Sequence, residues 1–306
     1  MNHVQLGYAC VNLALGPLGR TSRRCRLSNA TSHHLEELSR ANLTGLSEVL
    51  QWNASHNISV FRISSGVIPL ASHPKALWPW KRRLRREISY VGDFARKHGM
   101  RLSMHPGQYT VLNSIREDIV TAAAAELSYH AVFLDAMGLG SEHKIILHVG
   151  GAYGDPETSV RRFRENFEIL PANVRRRLAI ENDERSYGVY DVLELCDSLG
   201  IPMVFDYLHH QAYSSHPLKR SLLNRVYATW TPRDGRPEIH YSTQRRGARR
   251  GAHADMIDSR SFIRFLRILP RRDVSIVLEA KAKDRALLRL RQDLQSRTVM
   301  HRVIME

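Results

Sequence analysis

Short apolar runs recur along the chain, and several of them end abruptly on a charged or imidazole side chain. Residues 201–205 are all apolar, with the length and composition of a buried strand, and Asp206 follows them directly. The runs that end at His148, Glu181 and Glu279 have the same form. Because an unpaired carboxylate at the edge of a core is costly, each of these endings indicates a site.

Eight runs of this kind alternate with segments whose apolar residues recur at helical spacing. The predicted strands span residues 3–9, 58–63, 101–104, 144–148, 178–181, 202–206, 238–242 and 274–279. The predicted helices span residues 35–55, 82–97, 115–137, 156–170, 189–199, 219–227 and 259–269. This alternation predicts an α/β fold, a single-domain (β/α)8 TIM barrel in residues 1–280. Residues 281–306 are predicted to be a basic tail, helical to about residue 297, that packs on or trails the barrel.

Functional sites of this barrel lie at the carboxyl ends of the strands, which is where the acids and histidines fall. Glu238 and His240 are two residues apart, so on a strand they point to the same side. His209 cannot share a strand face with Asp206 and is expected just past the strand end. The full candidate set is His105, His148, Glu181, Asp206, His209, Glu238, His240, His253 and Glu279.

A lone histidine at a strand end is more often a structural residue than a metal ligand. So many acids and imidazoles at one mouth would form an unfavourable charge cluster if it were empty, and divalent cations would resolve it. The set exceeds what one tetrahedral ion uses, so we expect two or three ions. Imidazole and carboxylate without thiolate indicate Mn²⁺, Zn²⁺ or Fe²⁺ rather than Ca²⁺ or Mg²⁺ alone.

The charge balance favours a polyanionic partner. The chain has 45 Lys+Arg against 30 Asp+Glu, a net charge of +15, which favours nucleic acid first and an anionic membrane surface second. No apolar run reaches the roughly 18 residues of a spanning helix. Three scattered cysteines suit a reducing cytosol and make a thiolate zinc site improbable. We expect a cytoplasmic protein, associated with the nucleoid in a prokaryote.

Arginine-rich segments follow the first, second and seventh strands, at residues 20–26, 81–86 (beside Trp78 and Trp80) and 245–250. All three are predicted on the metal-bearing face, where they would bind phosphates while aromatic residues stack on bases. In the last segment the predicted DNA contacts are Arg245, Arg246, Arg249 and Arg250. Residues 175–177 and 271–272 precede strands, and their arginines are predicted to be solvated surface.

The motifs, taken together, resemble those of the UV-damage endonucleases, which share the barrel and metal cluster of endonuclease IV. The resemblance covers nearly all of the predicted barrel, in order. Its motifs are Gly7-Tyr8-Ala-Cys-Val-Asn12, Phe61-Arg-Ile-Ser-Ser, Pro69-Leu-Ala-Ser-His73, His105-Pro-Gly-Gln108-Tyr109, Leu147-His148-Val-Gly-Gly, Glu181-Asn-Asp-Glu, Asp206-Tyr-Leu-His209-His210, His240-Tyr-Ser and Gly251-Ala-His253-Ala-Asp255.

The resemblance implies an enzyme that holds up to three Mn²⁺ ions. It implies incision of double-stranded DNA on the 5′ side of cyclobutane dimers, 6-4 photoproducts and some abasic sites. The candidate ligands named above, apart from Glu238, become the metal ligands. The predicted catalytic residues are Glu181, Glu238 and His73, of which His73 resembles a histidine near the scissile phosphate. Gln108 and Tyr109 resemble the pair inserted opposite the lesion, and Tyr8 and Asn12 resemble residues that line the damaged-base pocket. We expect a monomer.

Glu238 departs from the family pattern, which commonly has at this position a lysine that can be carboxylated to bind metal. A glutamate supplies its carboxylate directly, so we expect the metal site to be retained with altered distances between ions. Three alternatives stay open at this stage: an abasic-site endonuclease, a metal-dependent sugar isomerase, and a protein that binds damaged DNA without cleaving it. An isomerase's small substrate would give no reason for the arginine-rich loops.

Overall fold

Parallel strands and surrounding helices form a closed barrel, as predicted. The computed structural model describes residues 2–214, 217–296 and 303–305. The barrel strands are β1 (Asn2–Ala9), β2 (Val60–Ile63), β3 (Arg101–Met104), β4 (Ile145–His148), β5 (Leu178–Glu181), β6 (Met203–Asp206), β7 (Glu238–Tyr241) and β8 (Val274–Leu278). The ring closes because β1 pairs with β8 on one side and with β2 on the other. Each predicted strand is confirmed, with differences only at its ends.

Helices follow the strands around the outside. They are α1 (Ser32–Ser55), α2 (Trp80–Arg83), α3 (Arg85–Lys97), α4 (Glu117–Ala136), α5 (Pro156–Glu168), α6 (Ala172–Arg177), α7 (Val189–Leu199), α8 (Tyr207–Tyr213), α9 (Arg220–Ala228), α10 (Ser259–Ile268) and α11 (Lys283–Gln295). Among the described residues, no helix combines the length and apolar character that crossing a membrane requires.

The helices differ from the prediction in three places. The predicted helix 82–97 is interrupted at Leu84, whose φ of −107° and ψ of 14° end α2 before α3 begins. The short helices α6 and α8 were not predicted, because neither is long enough to show a periodic apolar pattern. The predicted tail helix is α11, and residue 297 lies outside the described residues.

The end of the chain adds to the barrel wall. Leu287, Leu290 and Leu294 of α11 are buried, and this helix packs against β1 and β8. A further strand, β9 (Val303–Met305), pairs in parallel with the first residues of β1 and was not predicted. Whether residues 281–306 are a tail separate from a domain ending at residue 280 stays a prediction.

Polar side chains cap several helices where the chain leaves the barrel. The Asp155 carboxylate accepts a hydrogen bond from the Thr158 backbone N–H at 3.0 Å, with Pro156 in the first turn as predicted. Asp206 does the same for α8 through the His209 N–H at 2.6 Å. Gly200 ends α7 with a φ of 62°, a left-handed conformation that glycine adopts without a Cβ clash. The two aspartate caps fix where α5 and α8 begin after their strands.

Alternate strand residues face the barrel interior. Ile146, Ala179, Val204 and Trp230 form an apolar cluster that includes three strand positions two residues before His148, Glu181 and Asp206. Since strand side chains alternate between faces, the apolar residues and these ligand candidates share the interior side. The ligand candidates therefore lie above an apolar layer, at the carboxyl-end mouth.

The barrel towards the opposite end contains a buried ion pair and a buried arginine. The Lys144 ammonium contacts the Asp234 carboxylate at 2.6 Å, and both side chains are buried. Arg177 is also buried, with its guanidinium 2.7 Å from Asp135 and hydrogen-bonded to the backbone carbonyl of Leu139. The prediction that the arginines of 175–177 are all solvated surface is therefore wrong for Arg177, because α6 turns this residue towards the barrel.

Candidate metal centre

Glu181, the last residue of β5, is at the centre of the mouth and is almost fully buried. Four imidazoles approach its carboxylate, from the ends of β3, β4 and β7 and from α8. His105 Nε2 lies 3.0 Å from Oε2, and His148 Nε2 lies 3.8 Å from the same oxygen. His240 Nδ1 and His209 Nδ1 lie 3.0 and 3.5 Å from Oε1. One carboxylate thus joins side chains from opposite parts of the ring.

Asp206 and His209 form a second part of the centre, and α8 explains their spacing. Asp206 ends β6 and caps α8, which places His209 just past the strand end, as predicted. The His209 Nδ1 lies 3.0 Å from the backbone carbonyl of Asn182. The Asn182 side chain in turn bonds both backbone groups of Asp206. If the Asn182 carbonyl accepts an Nδ1 proton, the Nε2 lone pair of His209 is available to a metal.

Glu279, directly after β8, joins the centre to the loop after β7. His240 Nδ1 and His253 Nδ1 each lie 3.5 Å from its carboxylate, at Oε1 and Oε2 respectively. Arg62 of β2 forms an ion pair with the same carboxylate. Sequence reasoning did not name Arg62 as a site residue. A single charge inside the buried run Val-Phe-Arg-Ile was the available signal.

Seven of the nine candidate ligands fall into overlapping groups whose ligand atoms lie within 4.8 Å of one another. The groups are His105–His148–Glu181, Glu181–Asp206–His209 and Asp206–His240–Glu279. His253 is outside these groups but contacts Glu279. Glu184, not predicted as a site residue, adds a carboxylate oxygen 3.7 Å from His209 Nε2.

Glu238 lies one inward-facing position below His240 and outside the three groups. Its Oε1 accepts a hydrogen bond from the Ser103 hydroxyl at 3.0 Å and lies 3.5 Å from His240 Nε2. Its Oε2 lies 3.6 Å from Arg101 Nε. His240 therefore has one ring nitrogen towards Glu238 and the other towards Glu181, and the shared side predicted for Glu238 and His240 is confirmed.

The electrostatics of the centre suit a cation. Burial raises the pKa of Asp206 to about 6, in spite of the nearby His209. Burial alone would raise the pKa of Glu181, but His240 and His148 outweigh it and hold this pKa well below its ordinary value. Burial likewise opposes protonation of His209, whereas Asp206 and Glu181 raise its pKa to about 9. Protonated imidazoles can thus balance the carboxylates, and a cation would displace those protons.

Some buried polar atoms of the centre have no hydrogen-bond partner among the described residues. They include Asp206 Oδ2 and Nδ1 of His148. Buried polar atoms without partners are costly and rare in folded proteins. Oxygen and imidazole nitrogen are ligands that Mn²⁺ and Zn²⁺ accept, so the residues present fit divalent ions.

Comparison with known proteins identifies the family. The family model "UV-endonuclease UvdE" matches residues 4–305. The chain belongs to this family. It is 36% identical over 284 residues to the UV DNA damage endonuclease of Clostridium perfringens (strain 13 / Type A), covering 92% of this chain and 68% of that protein. It is 37% identical over 260 residues to the corresponding protein of Bacillus pumilus (strain SAFR-032), covering 84% of this chain and 81% of that protein.

Solved structures agree with this assignment. The crystal structure of SacUVDE matches this UvdE-family chain with a TM-score of 0.90 and 40% identity, over 96% of this chain and 99% of that one. A 3-keto-D-glucoside 4-epimerase from E. coli matches with a TM-score of 0.55 and 12% identity, over 94% and 99% of the two chains. At that identity the epimerase shares the barrel fold alone. This match therefore gives no support to the sugar-isomerase alternative beyond the shared fold.

The arginine loop of this UvdE-family chain adjoins the metal centre. Arg249 borders the mouth, with a guanidinium nitrogen 4.0 Å from the Glu184 carboxylate, and Arg250 donates to the backbone carbonyl of Gln211 at 3.1 Å. Arg245 and Arg246 are exposed and form no ion pair within the described part of the chain. All four predicted arginines therefore lie on one exposed loop, and positive charge reaches the mouth through Arg249.

The other predicted DNA contacts divide into exposed and buried pairs. Gln108 is exposed, and Tyr109 has 82% of its surface exposed, in the loop after β3. Tyr8 and Asn12 are fully buried, and the Tyr8 hydroxyl accepts from Asn12 at 2.8 Å while donating to Asn53 at 2.6 Å. These bonds tie β1 to α1, so a contact of this pair with a damaged base stays a prediction that the described conformation does not favour.

Two further predictions concern the loop after β2. His73 is half-buried, and its Nδ1 accepts from the Lys75 backbone N–H at 3.2 Å, with no contact to the ligand groups among the described residues. Residues 81–86 were predicted on the metal-bearing face. Lys81, Arg82 and Arg85 instead lie beside Val132 and Ala136, in the last turns of α4. Because α4 runs from the mouth to the opposite end of the barrel, this basic segment lies on the outer wall.

Proposed function

We propose that this UvdE-family protein is a divalent-metal-dependent endonuclease that incises double-stranded DNA on the 5′ side of UV photoproducts. The observation that carries the proposal is the placing of four imidazoles around Glu181, at the mouth of the barrel. The names of the relatives, UV DNA damage endonucleases, supply the substrate class. Incision at abasic sites is a further expected activity.

The seven grouped ligands, with His253 through Glu279, would hold two or three ions, and we propose Mn²⁺. Such ions would polarise the phosphate and lower the pKa of an attacking water. The chain's own residues supply the positioning. Backbone carbonyls face Nδ1 of three imidazoles: Pro106 at 3.0 Å for His105, Asn182 at 3.0 Å for His209 and Glu279 at 2.7 Å for His253. Each carbonyl would accept the Nδ1 proton and so leave the Nε2 lone pair of that ring available to a metal ion.

Glu238 is proposed to act on His240 rather than on a metal ion. A carboxylate 3.5 Å from Nε2 would hold the ring so that Nδ1 faces Glu181 and Glu279. Ser103 and Arg101 hold the Glu238 carboxylate from below. This arrangement would replace the family's carboxylated lysine by a residue that needs no modification.

The loops around the mouth are proposed to bind the duplex. The arginines of residues 245–250 would contact phosphates, and Arg249 would bring the backbone close to the ions. Tyr109 projects from its loop with few contacts, as a side chain that enters a base stack must. His73 would approach the scissile phosphate only if its loop moved towards the mouth.

A nicking assay tests the proposal. Purified protein with Mn²⁺ would be given duplexes with one defined photoproduct, one abasic site or no lesion. We expect incision 5′ of the photoproduct that a chelator abolishes. Glu181→Gln should abolish nicking while damaged-DNA binding persists, because the centre loses its joining carboxylate. Glu165→Gln, on an exposed side chain of α5, is the matched control.

The assay also separates the alternatives. Cleavage of the abasic duplex alone would make the protein an abasic-site endonuclease. Binding of damaged DNA without cleavage at any Mn²⁺ concentration would make it a damage-binding protein. Full activity after chelator treatment would refute the metal-dependent proposal.

A further inference from the structure

A groove on the outer wall lies between α2, the start of α3 and the last turns of α4. Its volume is about 580 Å³. Trp78 is buried, and Trp80, Val132 and Ala136 are half-buried, so these side chains form an apolar floor. Trp80 is held in place by Tyr129, with ring centroids 5.8 Å apart and planes at 87°. The floor is therefore a built part of the fold.

Exposed cations line the edge of this groove. Lys81, Arg82 and Arg85 are exposed and form no ion pair with any described residue. Two acids close to this segment are engaged with other arginines: Glu36 lies 3.4 Å from Arg83, and Glu87 pairs with Arg40. An apolar floor with unbalanced positive charge at its edge is complementary to an acidic ligand that also carries an apolar group.

The groove is separate from the metal centre. Its lining shares no residue with the cavities at the mouth. Val132 and Ala136 belong to the last turns of α4, which end at Ala136, towards the end of the barrel opposite to the mouth. A ligand in the groove would therefore leave the mouth free for DNA.

We propose that the groove binds an acidic segment of a partner protein, with a hydrophobic side chain of that segment on the floor. A duplex fits less well, because its phosphates offer no apolar group to the floor. Base stacking by a single strand needs an open ring face. Trp78 is buried, and Trp80 is half-buried with its ring in edge contact with Tyr129, so neither ring stands free in solvent as a stacking platform does. The inference does not depend on the proposed nuclease activity.

Fluorescence anisotropy of the full chain tests the inference. The probe is a labelled peptide of four aspartates and two phenylalanines, compared with the same peptide carrying asparagine for aspartate and with one carrying serine for phenylalanine. We expect binding of the first peptide only, weakened by salt. Arg82→Glu with Arg85→Glu should weaken it about tenfold or more, the equivalent of two exposed ion pairs lost and reversed.

A matched control pair and a floor variant complete the test. Arg161→Glu with Arg164→Glu, on α5, makes the same charge change elsewhere on the wall and should leave peptide affinity unchanged. Val132→Glu places a carboxylate on the floor and should abolish binding, with thermal melting used to verify folding. Equal losses in both arginine pairs would show a general charge effect and overturn the inference. If labelled DNA bound more tightly than the peptide, and Arg82→Glu with Arg85→Glu abolished that DNA binding, the groove would be assigned to nucleic acid instead.

Discussion

Replacing Glu238 by glutamine tests how the centre is supported, because the substitution retains the shape and removes the charge. The carboxylate is fully buried, 3.6 Å from the Arg101 guanidinium and 3.5 Å from His240. At an effective dielectric constant of about 20, a charge pair at that separation is worth roughly 4–5 kcal/mol before desolvation. Removing one partner of a buried pair typically costs about 3–5 kcal/mol.

Arg101 limits this cost because it has other partners. Its guanidinium donates to the backbone carbonyl of Arg236 and lies 5.2 Å from the centroid of the Trp230 ring. We therefore expect Glu238→Gln to lower the free energy of unfolding by ~2 kcal/mol, measured by urea denaturation of the chelator-treated protein. Loss of an orienting carboxylate should also reduce metal affinity or nicking rate by about 10- to 100-fold.

Metal content separates an orienting residue from a ligand. At saturating Mn²⁺ the variant should bind as many ions as the wild type, measured by elemental analysis, while nicking stays slow. Glu165→Gln should change neither quantity. Bicarbonate should not affect the wild type, whereas it should partly rescue Glu238→Lys if that lysine becomes carboxylated. Loss of one ion per chain would show that Glu238 is a ligand, and unchanged stability and turnover would refute both roles.

Three further predictions follow from the loops and the buried ion pair. Neutralising the four arginines of residues 245–250 should weaken binding to any duplex and lower the salt slope by up to about 0.9 per phosphate contact; an unchanged slope would make them plain surface. Alanine at Gln108 and Tyr109 should reduce discrimination between damaged and intact DNA by roughly 1–3 kcal/mol in competitive binding, more than it slows nicking of a pre-melted lesion. Burial lowers the pKa of Lys144 to about 8 in spite of Asp234, so the unfolded chain holds more protons above that pH. The stability of the wild type relative to Lys144→Met should therefore rise between about pH 8 and 10.5, in denaturation curves at several pH values, and a fall across that window would contradict the assignment.

The sequence was sufficient to predict the barrel, because its strands are buried on both faces and appear as short apolar runs. It also predicted which residues share a side, since strand side chains alternate. His148, Glu181 and Asp206 were found in this way, each as a polar residue that ends an apolar run. His209 was found from its spacing to Asp206, which a strand could not accommodate.

The tertiary structure decided which of these residues meet and which do not. Glu238 and His240 look equivalent in sequence, because both point to the same side of one strand. Glu238 lies deeper in the barrel, however, and therefore contacts Arg101 instead of joining the ligand groups. Tyr8 and Asn12 were expected to line a damaged-base pocket, but they are buried and hydrogen-bonded to each other, and Tyr8 also donates to Asn53 of α1. The basic residues 81–86 follow a strand, as the arginines of residues 245–250 do. They nevertheless belong to α2 and the start of α3, which lie on the outer wall beside the last turns of α4.

The physical reason is the range of the interactions involved. Alternation, capping and apolar runs depend on neighbours a few residues away, so a sequence reveals them directly. Arg62 reaches Glu279 across 217 residues of chain, and Ser103 reaches Glu238 across 135. Contacts of that separation depend on barrel closure and on the depth of each side chain in the interior, and only the folded ring determines both.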